Sequence, residues 1–315
     1  MKGTFSYHDY VRLCSHSDND YVYLLDVQTS GSVVRGNYES VQNMVPNDKY
    51  ETDEGHMYFS LTYDHTWDPS NFPDSSGLNQ SYVIGLLAHT LPENSQVTIE
   101  WYANGGASPV RSRTVNIPYD HYLSKHFQKN DVFVFEEDDI SIAGYDWISR
   151  VTVTISNEQD QQAALGRLWV GNHFKQKSSN STNCTWDGGW NMTYVGNGEV
   201  TRNEDRSVGY AKPAPVQRQL TVTRSNMDYK MAYGDIEWGI SSANWYSDSF
   251  SKAFVEAHKF ADVLIIPDYE NQLSHRFTTI WGTIQNNPSI QKSRDNNTYS
   301  TTIDILELVD DIDDV

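Results

Sequence analysis

The stretch YVIGLLAHTLPENSQVTIE, Tyr82 to Glu100, decides how the rest of the chain is read. Its opening apolar run, Tyr82 to Leu87, is strand-sized and gives way to polar and turn-forming residues, which predicts a buried strand. Pro92, Glu93 and Asn94 supply turn chemistry. Beyond them Val97, Ile99 and Trp101 alternate with polar Thr98 and Glu100, the period-two pattern of a half-buried strand. The same alternation recurs at Met57, Phe59, Leu61 and Tyr63, and again through VTVTI at 151–155. Further strands are predicted at 132–135, 168–170, 220–223, 263–266 and 301–305. Turn signals stand between them at Asn104 to Gly106, Asp187 to Gly189 and Gly196 to Gly198.

Composition agrees with a mainly β fold. Twenty Tyr, nine Trp and eleven Phe make 13% of the 315 residues, and aromatic and β-branched side chains suit pleated surfaces better than helices. One segment departs from the pattern. From Ser247 to Ala261, Phe250, Phe254, Val255, His258 and Ala261 recur at helical spacing behind residues that can cap, so one helix is predicted over 247–261. The apolar run 263–266, closed by Pro267, then gives a helix-then-strand unit.

The length predicts two domains. The polar run KQKSSNSTN, 175–183, has no apolar periodicity and reads as the linker between a first domain over 56–174 and a second, β-rich domain over 184–308. Residues 1–55 form a segment of open role that can belong to the first domain, and 309–315 is an acidic tail expected to fray.

Forty-two acidic against twenty-three basic residues leave a net charge of −19, which gives a phosphate backbone or an anionic membrane nothing to hold. No apolar run approaches the roughly 20 residues of a bilayer span, and the amino end MKGTFSYHDY lacks the apolar core of a signal peptide. A soluble chain made in a cytoplasm, with no nucleic-acid or membrane partner, is expected. Cys14 and Cys184 form no CxxC pair, and five Asn-x-Ser/Thr sequons are chance products of an Asn-, Ser- and Thr-rich chain.

Two passages of the first half resemble the galactose-binding-like jelly roll, a two-sheet sandwich. They are the stretch 82–100 and the pair SRVTVTIS (149–156) with LGRLWVG (165–171). In order behind them come WDGGW (186–190), VQRQLTVT (216–223), the predicted helix, VLIIPD (263–268), Trp281-Gly282 and TIDILEL (302–308). That succession resembles the second domain that follows such a jelly roll in tailed-bacteriophage virion proteins, and the resemblance as a whole, jelly-roll passages included, spans roughly 80 to 308. The resemblance implies a second β-sandwich-like domain with one helix. It also implies a non-enzymatic structural component of the tail, tail tip or connector, a homo-oligomer in the particle that contacts other virion proteins.

Candidate chemistry is sparse. Glu136 to Asp139 is the densest carboxylate run, but neighbouring residues of an extended chain point to opposite sides, so a solvated loop is expected before a glycosidase dyad. Asp18, Asp20, Asp64, Asp68 and Asp74 lack the spacing of a calcium loop. His56, His65, His121 and His126 form no metal-ligand motif, and His89, in the turn after the first buried strand, is expected to bond backbone. Gly234 to Gly239 lacks the Lys and helix start of a nucleotide loop. No catalytic residue, metal or cofactor is expected. Trp101 and Trp169 sit in strands and are expected in the core. Trp67, Trp186 and Trp190 lie beside Asp, Pro or Gly and are the candidate exposed aromatics. They would serve subunit contact or, in the alternative reading as a carbohydrate-binding module, stacking on a host-surface glycan.

Overall fold

The computed structural model describes residues 4–6, 9, 11, 23–63, 82–103, 105–117, 130–134, 148–157, 161–172, 189–196, 200–202, 208–210, 216–233, 249–257, 261–268, 277–294 and 297–309. Among these the chain is mainly β with antiparallel pairing, and the expected strands form.

The run that opens the sequence reading shows why the molecule is layered. Strand β6 (Tyr82–Leu87) pairs antiparallel with β12 (Arg167–Asn172) on one side and β9 (Asp131–Val134) on the other. Both of its faces are apolar because both are covered. Ile84 and Leu86, with Leu168 and Val170 of β12, enter one core. Val83 and Leu87, with Trp169, enter another. Gly85 keeps the second face low: a Cβ there would press at 3.3 Å on Trp169 and at 3.4 Å on Leu264 of the next layer.

The first core is closed by a five-stranded sheet in the order β2 (Tyr23–Thr29), β5 (Met57–Tyr63), β10 (Ile148–Ser156), β7 (Gln96–Ala103) and β8 (Arg111–Asn116). Its inward residues are the alternating sets read from the sequence: Met57, Phe59 and Leu61; Val97, Ile99 and Trp101; Val151, Val153 and Ile155. A small sheet of β3 (Val33–Arg35), β4 (Tyr50–Thr52) and β11 (Ala163–Leu165) completes this sandwich, with Tyr50 and Leu165 inside. Residues 23–52 therefore build the sheets of the first half.

The third layer is a seven-stranded sheet. Its main path runs β1 (Thr4–Ser6), β17 (Asp262–Ile266), β18 (Ile280–Ile284), β20 (Tyr299–Glu307), β16 (Val216–Met227) and β13 (Trp190–Gly196), with β19 (Gln291–Lys292) beside β20. A separate pair, β14 (Val200–Arg202) and β15 (Val208–Tyr210), forms a ribbon. The period of two again divides the side chains. Leu264, Ile266 and Trp281 meet the β6–β12 face, and Leu308 packs beside them. Phe5, Val263, Ile265, Ile280, Ile303, Ile305, Leu220 and Val222 face the opposite way, into a core roofed by two short helices.

These helices are α1 (Tyr229–Tyr233) and α2 (Phe250–Glu256). Helix α2 lies within the predicted 247–261 and buries Phe250, Ala253 and Ala257, with Phe254 packed alongside. Val255, placed on the apolar stripe by spacing, points outward instead. The small residues Ala253 and Ala257 carry the inward face, which lets the helix lie close to the sheet. Helix α1 is an addition to the sequence reading, a single turn in which the Met231 amide donates to Asp228 Oδ1 at 2.7 Å. The predicted linker at 175–183 lies outside the described residues.

Candidate functional site

Between the middle and third layers the apolar contact ends in charge. Arg167 begins β12 and Asp262 begins β17, each two residues before a core side chain, Trp169 and Leu264, so strand geometry turns both into the gap between layers. A third charge arrives from the amino end. The short strand β1 pairs with β17, Thr4 opposite Ile266 and Ser6 opposite Leu264, and three residues later Asp9 bridges to Gly171 of β12. Thr4 to Ser6 and Asp9 thus bind strands of both halves of the chain.

Arg167 Nη2 donates to Asp9 Oδ2 at 2.6 Å and to Asp262 Oδ2 at 3.2 Å, while Nη1 donates to the Asn43 carbonyl at 3.1 Å. All three charged side chains are buried. Asp9 Oδ1 accepts from the backbone amides of Val11, at 3.0 Å, and Val170, at 3.3 Å. Two indoles close the group: Trp281 Nε1 donates to Asp262 Oδ2 at 3.3 Å, and Trp169 Nε1 to Ser6 Oγ at 2.9 Å. Arg167 Nε has no hydrogen-bond partner among the described residues. Burial, helped by the neighbouring Asp262 charge, pushes the Asp9 carboxyl up to about 6, against the opposing pull of Arg167 and the two amides.

A second buried pair lies on the opposite face of the third sheet. Arg218 of β16 and Glu307 of β20 share the inward parity of Leu220 and Ile305. Arg218 Nε donates to Glu307 Oε2 at 2.8 Å, and Nη2 bonds Oε1 of the same carboxylate, a two-pronged arrangement. The Arg218 amide reaches Oε2 at 3.1 Å, and the guanidinium also donates to the Phe277 carbonyl at 2.7 Å and the Thr279 carbonyl at 3.1 Å.

What these groups can do chemically follows from where they sit. Each carboxylate is held between packed layers by a guanidinium and amide or indole donors, an arrangement that fixes strands and offers no reacting atom to a substrate. Among the described residues no group of three or more His, Cys, Asp or Glu is placed to hold a metal ion. None of the described helices is long and apolar enough to cross a membrane.

The residues singled out in the sequence fall as follows. Trp101 and Trp169 are fully buried. His89 is buried and its Nδ1 accepts from the Leu91 amide at 3.2 Å, the backbone role expected of it. Trp190 opens the edge strand β13 opposite Val222 and is half-buried against the helix-covered core. Trp67, Trp186, Cys14, Cys184, Glu136 to Asp139, the Asp18, Asp20, Asp64, Asp68 and Asp74 set, His65, His121, His126, the 234–239 loop and the tail beyond Val309 lie outside the described residues. Two surface groups were not anticipated. Val33, Val34, Tyr38 and Val45 stand 47%, 54%, 53% and 54% exposed within one short segment. Tyr229 and Tyr233 of α1, 51% and 37% exposed, contact each other and Tyr299 with ring centroids 5.3 to 6.2 Å apart.

No family model matches the sequence, and no curated protein matches it. Among solved structures the chain is similar to one titled "Structure of PfGH50B", at 12% identity and a TM-score of 0.28, over 88% of this chain and 46% of that one. The chain spans about half the length of that structure.

Proposed function

We propose that the chain is a non-enzymatic structural component of a tailed-phage virion, in the tail or connector region, working as repeated copies through contacts with other virion proteins. The observation that carries an assembly role is the set of exposed side chains Val33, Val34, Tyr38 and Val45, of which Val33 and Val34 point to opposite sides of their strand. It lies on β3, the terminal strand of its sheet, and on the turn behind it. Large exposed side chains on and beside an edge strand suit a protein interface, because a strand edge offers backbone pairing as well as apolar area. The placement in a phage particle comes from the ordered resemblance over 80–308. Mass spectrometry of purified particles should find the chain, and the doubly substituted Val33→Lys, Val34→Lys protein should fold normally yet fail to incorporate. Absence from particles, or undiminished incorporation of the double variant, would remove the reading.

A second reading, a carbohydrate-binding module for a host-surface glycan, draws support from the exposed Tyr229 and Tyr233 rings, whose faces suit the CH side of a sugar. Their rings touch, so a ligand stacks outside the group and does not enter between them.

A further inference from the structure

We propose that the outer face of the five-stranded sheet binds an oligosaccharide that bears a carboxylate, with Arg150 taking the carboxylate and Glu100 a neighbouring sugar hydroxyl.

The pairing register places the site. On β10, Val151, Val153 and Ile155 enter the first core, so Arg150, Thr152 and Thr154 face the other way. Arg150 lies between Thr62 of β5 and Tyr102 of β7, Thr152 between Ser60 and Glu100, and Thr154 between Tyr58 and Thr98. These rows form one polar surface. Thr152 is fully buried at its centre and makes the floor, while Arg150, Glu100 and Tyr58 stay partly exposed around it.

Two side chains on this surface call for a ligand. The Arg150 guanidinium is held 3.9 Å from the centroid of the Tyr102 ring, a contact that fixes its position. It nevertheless takes part in none of the described buried ion pairs, which belong to Arg167 and Arg218, and its Nε is closed off from water without a hydrogen-bond partner. A positioned cation left uncompensated stands out on a chain of net charge −19. Its planar fork of donors matches a carboxylate. Glu100 is the second. Its Oε2 accepts from the Tyr102 hydroxyl at 2.9 Å and from Thr152 Oγ1 at 3.4 Å. Both bonds fall on one oxygen, which leaves Oε1 to accept from a ligand hydroxyl.

The surroundings select a saccharide. Ser60, Thr62, Thr98 and Thr154 offer hydroxyls where a protein interface would offer an apolar centre. In the Thr154 row the Tyr58 ring adds a face for the CH side of a sugar. An acidic peptide would satisfy Arg150 and leave the hydroxyls unused. This surface belongs to a different sheet from Tyr229 and Tyr233, and the proposal depends neither on the assembly reading nor on the glycan reading of those rings.

Titration calorimetry of the whole protein tests it, with trigalacturonate against its methyl ester and sialyllactose against lactose. The acidic member of at least one pair should bind at least about tenfold more tightly than the neutral one, the worth of a charge-assisted hydrogen bond. Arg150→Gln should erase that difference, whereas Glu100→Gln should weaken both members of the pair. Binding should shift the backbone amides of residues 98–102 and 150–154 and leave those of α1 in place. Should Arg150→Gln not fold, the acid-to-ester comparison and the amide shifts of the wild-type protein still decide. Equal affinity for both members of each pair, no binding of either acid, or undiminished binding by folded Arg150→Gln would overturn the proposal. So would amide shifts confined to α1, a polyglutamate peptide bound more tightly than any saccharide, or acetate and sulfate bound as tightly as the acidic sugars, which would mean an adventitious ion only.

Discussion

Replacing Glu307 by alanine removes the carboxylate that receives three bonds from Arg218, those of its amide, Nε and Nη2. The guanidinium keeps the Phe277 and Thr279 carbonyls but loses the bidentate Glu307 carboxylate in a site closed to water. Breaking a buried pair from one side costs about 3 to 5 kcal/mol, because the charge left behind is neither hydrated nor neutralised. For a chain of this size that corresponds to a fall in Tm of roughly 10 °C, readable by calorimetry or circular dichroism, with urea denaturation supplying the free energy. The double variant Arg218→Met, Glu307→Leu takes both charges away while keeping most of the volume, and should recover the greater part of the loss. If Glu307→Ala costs less than about 1 kcal/mol, the pair behaves like a hydrated surface ion pair and the reasoning fails. It fails equally if the double variant is as unstable as the single one, since the cost would then come from packing and not from stranded charge.

Gly282→Ala should be destabilising by about 1 to 3 kcal/mol, because a Cβ there overlaps the Leu306 carbonyl oxygen and crowds Ile305 in the neighbouring strand, a backbone contact no rotamer can relieve. Chemical denaturation at neutral pH measures it, and wild-type stability would disprove the close approach of β18 and β20. On the glycan reading, Tyr229→Ala should lower binding of the best oligosaccharide in a neutral and acidic panel at least tenfold, while costing about 1 to 2 kcal/mol of stability through its lost ring contacts with Tyr233 and Tyr299. A panel without any binder retires that reading.

Much of this architecture could be read before any coordinates, for a local reason. Alternation in 57–63, 96–103 and 151–155 names the inner faces residue by residue, since a strand with one face covered must place its apolar residues two apart. The helix at 250–256 was visible from spacing, whereas its inward stripe was not: Ala253 and Ala257 carry little hydrophobic signal, and Val255 carries much yet faces out. The three-layer stack was hidden because VIGLL reads only as a buried run, and nothing local says that its two faces meet different partners. The buried charges left a faint trace. Arg167, Arg218, Asp262 and Glu307 each stand two residues from a core side chain on the inward parity of a strand, a pattern that marks an interior ion pair once the strands are known. Asp9 left none, because it lies beyond a three-residue strand whose partner is more than 250 positions away.

Those interior charges supply something the apolar side chains lack. Sliding β16 past β20 by two residues, about 7 Å, keeps Leu220, Val222, Ile303 and Ile305 on the helix-covered face, since the side-chain period is two. Hydrophobic parity therefore tolerates the slip. The ion pair does not: in the observed register Gln219 stands opposite Leu306, which sets Arg218 across from Glu307, and a two-residue shift in either direction leaves each of them facing an apolar neighbour. At about 3 to 5 kcal/mol for a broken buried pair, that one misplacement outweighs the modest packing differences between neighbouring aliphatic registers. The same reasoning holds between layers. Apolar contact among Val83, Leu87, Leu264 and Ile266 has little directional preference, while the Asp9, Arg167 and Asp262 hydrogen bonds are met at a single relative position of the two sheets. An apolar replacement of Arg218 and Glu307 should accordingly restore stability while broadening the register population, which would appear as extra amide resonances for β16 and β20 alone.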